Sequence, residues 1–338
     1  MIDEICVIGQ PSLCGGADTE LLDQIQMWSD MGVWATIIPT SDVKDNINLS
    51  RYNTRIEEIR DYKKCLGKHV ISFCNPYFLK DIAEIRKYAK TISWVNCMCF
   101  NFKEEINAHL NGYIDYFLYQ TKHQYQKCAP ALVSVNRNYN IFHIKPWFDD
   151  TRFPYIEDRK EIVIGRISRA SLSKFNKNQF KIFKNFKDIK CIILGWKDEL
   201  YKKVDSEDLV YMNYNDNIKL YKEREITQQD FYKQCSILCM TTDTYENYPR
   251  VAFEAMSSGS VLVVDNRGGW KDIIDNGKTG FLCNNTKEFI EVIKNLIDNP
   301  KLLKSIAKNA RTKLDTDFSY NESVSSWTKF FELLSRNH

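Results

Sequence analysis

The sequence predicts an α/β protein built from two parallel-sheet domains. Three observations carry that expectation. Short apolar runs alternate with amphipathic helical patterns along the chain, as in sheets covered by helices. The 338 residues, 43% hydrophobic and 27% charged, are many for one core and suit two domains of globular composition. The alternation also breaks once, over Lys145-Pro-Trp-Phe-Asp-Asp-Thr-Arg-Phe-Pro154, before resuming. That break places the interdomain linker, with domains over 1–150 and 151–317 and a terminal helix over 318–338.

Ile5–Ile8 reads as the first strand and leads into the loop Gly9–Gly16. Leu21, Leu22, Ile25 and Trp28 share one face of a helix expected from about Ala17 to Met31. Gly32 ends it, and Val33–Ile38 is the next strand. Further strands are expected at His69–Cys74, Ile92–Cys97 and Tyr116–Tyr119, with helices between. The second series runs Ile162–Ile164, Cys191–Leu194, Leu209–Met212, Ile237–Met240 and Val261–Val264. On the last helix, Trp327, Phe330, Phe331 and Leu334 are spaced to dock. No repeat or low-complexity tract appears.

Composition narrows the classes. The start lacks a basic-then-apolar leader and no apolar run nears 18 residues, so the expected location is cytoplasmic, with no transmembrane anchor. The 11 cysteines sit mostly in apolar contexts without zinc spacing, and read as reduced thiols. Net charge is +3, unevenly divided: residues 1–150 carry 16 Lys+Arg against 18 Asp+Glu, the remainder 31 against 26. The basic excess of the second half suits an anionic ligand there.

The most informative stretch runs from Tyr245 to Gly280. It holds Glu246-Asn-Tyr-Pro-Arg-Val-Ala-Phe-Glu254, the small-residue run Ala255-Met-Ser-Ser-Gly259, the apolar run Val261–Val264, then Gly268-Gly269 and Asn276-Gly277-Lys-Thr-Gly280. Pro249 suits a first helical turn, where its missing N–H costs nothing. The free N–H groups of such a turn, with the helix dipole, favour a phosphate. A glutamate in the loop and another a little over two turns down the helix can hold different parts of one ligand. A sugar joined to a diphosphate fits.

This segment resembles the donor site of retaining GT-B glycosyltransferases, most closely glycosyltransferase family 4, where two glutamates separated by seven residues precede a small-residue run, a strand and a glycine pair. Asn247-Tyr248-Pro249-Arg250 stands where the family usually has Phe-Gly, and Ser257-Ser258 replaces the usual small pair. The resemblance implies two Rossmann-like domains with parallel sheets facing each other across a cleft. The first, 1–150 with the crossover helix 318–338, would take the acceptor, and 151–317 the nucleotide-sugar. Glu246 would orient the sugar hydroxyls, Glu254 would grip the ribose, and the backbone at Pro249–Val251, with Asn247, Tyr248 and Arg250, would line the donor. Gly15 and Gly16 resemble the first-domain glycine loop that approaches the phosphates. Phe148, Asp149 and Phe153 match part of the family's linker element. Residues near Tyr211–Tyr214 would border the base.

A second element, Gly165-Arg166-Ile-Ser-Arg169-Ala-Ser-Leu-Ser-Lys174, resembles the family's Gly-Arg…Lys motif. Arg166 and Lys174 would stabilise the leaving diphosphate, with Arg169 an alternative to Lys174. Lys174, Lys177, Lys181 and Lys184 also read as one solvated helix face. No metal is expected: the one Asp-x-Asp, Asp315-Thr-Asp317, lies just before the last helix and reads as helix-entry chemistry. Asn96 falls at or near the position where many family members carry a donor-sugar histidine. The five histidines fall at no family motif.

The expected activity is retaining transfer of a sugar from a nucleotide-sugar, a UDP-sugar first, to a hydroxyl acceptor, with no cofactor and no named general base. A hydroxymethylated base in DNA is one acceptor class, since some phage enzymes resembling the family act there. Lys122, His123, Tyr125 and Lys127 would contribute a basic rim. The alternatives are a polysaccharide- or lipid-directed transferase, a GT-B sugar-nucleotide epimerase, and a non-catalytic nucleotide-sugar binder. Arg51–Lys68 is basic in part but carries Glu57, Glu58 and Asp61, which weakens a membrane-surface reading.

Overall fold

The computed structural model describes residues 2–12, 15–41 and 47–336. The chain divides into two units, Met1–Phe148 with Phe318–His338, and Asp149–Asp317. Cys14 and His338 lie outside the described residues, as does part of the Gly9–Gly16 loop.

In the first unit the chain runs β1 (Glu4–Ile8), α1 (Gly16–Asp30), β2 (Trp34–Ile38), β3 (Thr54–Ile56), β4 (His69–Phe73), α2 (Pro76–Ile85), β5 (Thr91–Val95), α3 (Lys103–Leu110), β6 (Tyr116–Tyr119), α4 (Lys122–Val135) and β7 (Ile141–His143). The second unit continues as β8 (Val163–Ile167), α5 (Asn178–Phe183), β9 (Lys190–Trp196), α6 (Ser206–Tyr214), β10 (Ile218–Lys222), α7 (Gln228–Gln234), β11 (Ile237–Met240), α8 (Arg250–Ser258), β12 (Val261–Asp265), α9 (Trp270–Ile273), β13 (Phe281–Cys283), α10 (Thr286–Asp298) and α11 (Pro300–Asp317). The last helix, α12 (Tyr320–Arg336), belongs to the first unit.

Both sheets are parallel. Their orders are β3-β2-β1-β4-β5-β6-β7 and β10-β9-β8-β11-β12-β13. Each order reverses once, between β1 and β4 and between β8 and β11, and such a switch point opens a crevice at the strands' carboxyl ends. The central strands are buried on both faces, which accounts for their continuous apolar runs. On one face of the first sheet, Trp28 of α1 meets Trp327 of α12 edge-on, with ring centroids 4.8 Å apart. Gln24 binds both neighbours, its Oε1 accepting from the Trp327 indole and the Trp147 N–H, each at 3.1 Å. The core of the second unit packs Phe175, Phe180, Phe183, Trp196 and Phe289 against its strands.

Several expectations are corrected. Leu209–Met212 is not a strand but part of helix α6. The acidic residues Glu207 and Asp208 in its first turn favour a helix start, and Leu209 and Met212, three apart, pack one helical face on the core. The four strands the sequence did not announce, β3, β7, β10 and β13, are the four sheet edges. Three span only three residues, and none reads as a continuous buried run. Asp315 and Asp317 end α11 rather than enter α12, and pair with Arg311 and Lys313 one turn back.

Candidate functional site

Two loops at the switch point of the second sheet build the site. One leaves β8 and carries Lys174 in a single 3₁₀ turn, Leu172–Lys174. The other leaves β11 and carries Glu246. The loops are joined through their backbones: the Ser173 carbonyl accepts from the Asp243 N–H at 3.2 Å and the Thr244 hydroxyl at 3.4 Å. This closure brings Lys174 onto Glu246, 72 residues away in sequence. The ammonium donates to both carboxylate oxygens, at 2.8 and 2.6 Å. Both side chains keep some access to solvent, 21% for Lys174 and 13% for Glu246. Lys174 therefore does not share the face of α5; Lys181 and Lys184 pair instead with Asp205 and Asp208. Arg169 is exposed on the loop.

The glycine pair has a structural reason. The Gly269 N–H donates to the Glu246 carbonyl at 2.8 Å. A Cβ on Gly269 would stand 1.5 Å from the Asn247 carbonyl oxygen, and one on Gly268 2.5 Å from that of Glu246. Only glycines let that backbone approach. Asn247 and Tyr248 are buried, with the Tyr248 ring 4.6 Å from that of Phe253. Pro249 caps α8 rather than entering it, and its carbonyl accepts from Ala252 at 2.9 Å. Arg250 and Val251 thus supply first-turn N–H groups, which have no intrahelical acceptor. Glu254 lies one turn on, buried beside Tyr232. Burial and the Glu254 carboxylate together hold the Tyr232 phenol well above its ordinary pKa.

Arg166, the cation expected on the diphosphate, is fully buried on β8, with Nη1 on the Ser168 hydroxyl at 2.9 Å and Nη2 on the Lys174 carbonyl. Burial draws its pKa down to about 10, opposed in part by the Glu246 carboxylate.

Gly15, Gly16 and Asn96 lie in the first unit. Gly15, with φ 93°, precedes α1, and Gly16 begins it. Asn96 comes directly after β5, but its amide is spent inside the unit. Nδ2 donates to the Phe100 carbonyl and to Glu105 Oε2, both at 2.9 Å, and Oδ1 accepts from the Met98 N–H at 2.8 Å. Asn96 is 1% exposed, and its amide holds the loop after β5. Sequence reasoning missed Glu105, whose carboxyl sits at the third position of α3, accepts the Phe102 N–H at 3.1 Å and is pushed up to about 7 by burial. The signal was its place at the start of a helix.

Tyr211 and Tyr214 ride on α6; Tyr211 donates to Asn217, and Tyr214 is 84% exposed. Lys122, Tyr125 and Lys127 are exposed on α4, with His123 partly buried. The ten described cysteines are free thiols. Among the described residues, no helix is long and apolar enough to cross a membrane.

Residues 148–313 match the family model for glycosyl transferases group 1. That span takes in nearly all of the second unit, which is similar to this family. Two curated relatives match part of the chain. Spore coat protein SA of Bacillus subtilis is 24% identical over 118 residues, 34% of this chain and 31% of that protein. The capsular polysaccharide biosynthesis glycosyltransferase CapM of Staphylococcus aureus is 26% identical over 134 residues, 39% of this chain and 34% of that protein. The chain thus spans about a third of the length of these relatives. Similarity of structure extends further. Anabaena Alr3699/HepE in complex with UDP-glucose superposes with a TM-score of 0.75 at 15% identity, covering 98% of this chain and 99% of that one. The fold is GT-B.

Proposed function

We propose that the protein is a retaining glycosyltransferase that moves a sugar from a UDP-sugar to a hydroxyl of a polysaccharide or lipid-borne acceptor. The observation that carries this reading is the Lys174–Glu246 pair at the sheet's switch point, beside the first turn of α8. Lys174 meets the diphosphate as a mobile point charge, and the Arg250 and Val251 N–H groups cradle a phosphate. Glu246 turns to the sugar hydroxyls and supports charge at the anomeric carbon as the bond to phosphate breaks. Glu254 accepts from the ribose. The leaving phosphate oxygen takes the acceptor's proton, so no protein base is assigned. The UDP-glucose complex of HepE supports the donor class, and the capsular polysaccharide role in CapM's name supports polysaccharide over DNA as acceptor.

A panel of nucleotide-sugars with mass spectrometry of the products tests the donor. Slow hydrolysis of UDP-sugars is expected, while release of an isomerised nucleotide-sugar would mark an epimerase. Transfer to hydroxymethylated duplex DNA but to no glycan would move the acceptor to DNA. Glu254→Ala should weaken free UDP binding by roughly 1.5–3 kcal/mol in calorimetry, as a lost charge-assisted contact does. Unchanged affinity in the folded variant removes the ribose role.

A further inference from the structure

Cys6 and Cys65 are 59 residues apart in sequence, and their sulfurs lie 3.2 Å apart in the core of the first unit. Both are fully buried, and neither takes part in the proposed chemistry. Cys6 is the third residue of β1, paired with Thr36 of β2 on one side and Val70 of β4 on the other. Cys65 ends a 3₁₀ turn, Tyr62–Cys65, in the connection from β3 to β4. That connection has this single turn and no α-helix. Around Cys65 the chain faces solvent: Lys63, Lys64, Leu66 and Gly67 are exposed, Leu66 by 72%. The Cys65 side chain thus reaches from an exposed turn into the central sheet. A disulfide joins its sulfurs at about 2.05 Å, so this pair is about 1.1 Å short of bonding, a distance that rotation of the two side chains can close.

A thiol reacts as its thiolate, and burial works against the thiolate. The Cys6 thiol is held well above its ordinary pKa by its hydrogen bond with Cys65 and by burial. Reaction therefore starts from local opening, which a short, exposed turn undergoes more readily than a central strand.

We propose that Cys6 and Cys65 form a redox-operated staple, a modification site at which a small disulfide oxidant such as oxidised glutathione joins the β3–β4 connection to β1. In the opened turn the Cys65 thiolate attacks the oxidant, forms a mixed disulfide and releases one thiol. On reclosure Cys6 attacks the Cys65 sulfur and releases the second. Two protein thiols are oxidised to one disulfide, and one oxidant disulfide is reduced to two thiols, which carry away both protons. The bond encloses the chain from Cys6 to Cys65, restricts the unfolded state and so stabilises the first unit. The staple holds independently of the proposed reaction.

Oxidised glutathione tests it on the full chain, at room temperature and again a few degrees below the melting midpoint. After alkylation in denaturant and digestion, mass spectrometry should find the Cys6 and Cys65 peptides joined as the main cross-link. The melting midpoint should rise by about 5–15 °C, and dithiothreitol should reverse the rise. Cys65→Ala should lose both the cross-link and the response; Cys6→Ala takes its place if that variant does not fold. Absence of the joined peptides at both temperatures overturns the proposal, as does a main cross-link between other cysteines. A joined pair with an unchanged or lower midpoint overturns it too, because the bond would then strain the fold rather than staple it.

Discussion

The two sheets follow the same strand order, apart from the extra strand β7 on the first, but their carboxyl edges are finished in opposite ways. In the first unit, the loop after β5 is closed on itself: Asn96 holds Phe100, Met98 and Glu105, and the Gln124 amide donates to the Asn96 and Met98 carbonyls. Glu105 is fully buried and is answered only by neutral donors. In the second unit, Glu246 is answered by an ammonium, and the pair keeps contact with solvent. A buried carboxyl held by amides is fixed in place. A partly hydrated ion pair is worth little by itself, about 0–1 kcal/mol at the surface, so a ligand can take it apart and reuse both charges. The same topology thus builds a structural edge and, on the function proposed above, a reactive one.

The largest effect should come from the reactive edge. Glu246→Ala should leave free UDP binding nearly intact in calorimetry while turnover of a nucleotide-sugar falls ~100- to 1000-fold, the range for removing a group that acts on the transition state. Normal turnover would show that the Lys174–Glu246 pair is not the working one and would erase the contrast.

The structural edge should declare itself through pH. The Glu105 carboxyl is raised from 4.5 to about 7, chiefly by burial, against the lowering hydrogen bonds of Phe102 and Asn96. The folded state therefore holds the proton more tightly than the unfolded chain. Its contribution to stability is complete below about 4.5, is lost as pH rises toward 7, and levels off above that, a change of at most about 3 kcal/mol. Glu105→Gln should gain stability relative to wild type between pH 4.5 and 8 in chemical denaturation. A difference independent of pH would mean that the carboxyl is hydrated and the edge is not closed.

The smallest effect sharpens the comparison through two glycines. Gly269→Ala forces a Cβ against the Asn247 carbonyl and should destabilise by about 1–3 kcal/mol. Gly16→Ala, where an added Cβ meets nothing within 4 Å, should be near neutral by thermal melting. Equal shifts would mean that the Glu246 loop can retreat from Gly269.

The sequence announced whatever is periodic or locally compelled. Ile237–Met240 and Val261–Val264 are buried strands because a run of apolar residues cannot be hydrated on either face, and Trp327, Phe330, Phe331 and Leu334 fall on one stripe because helical spacing leaves them no other place. The edge strands were not legible, since a strand paired on one side buries too little to leave a run. α6 was misread because Leu209–Met212 is too short for its period to separate helix from strand.

For the site, the resemblance to family motifs named Glu246, Lys174 and Glu254, whose types suit the chemistry: a diphosphate needs a cation and a helix start, and a sugar needs carboxylates. Whether those groups meet is a matter of long-range closure. Two loops 72 residues apart are brought together only because β8 and β11 are neighbours in the sheet and the Ser173 carbonyl ties the loop after one to the loop after the other. Tertiary structure likewise turned Arg166 inward and spent the Asn96 amide on Glu105. Chemistry is written in residue types, but access, partner and charge state depend on which atoms the folded chain puts within about 3 Å of one another, the reach of a hydrogen bond.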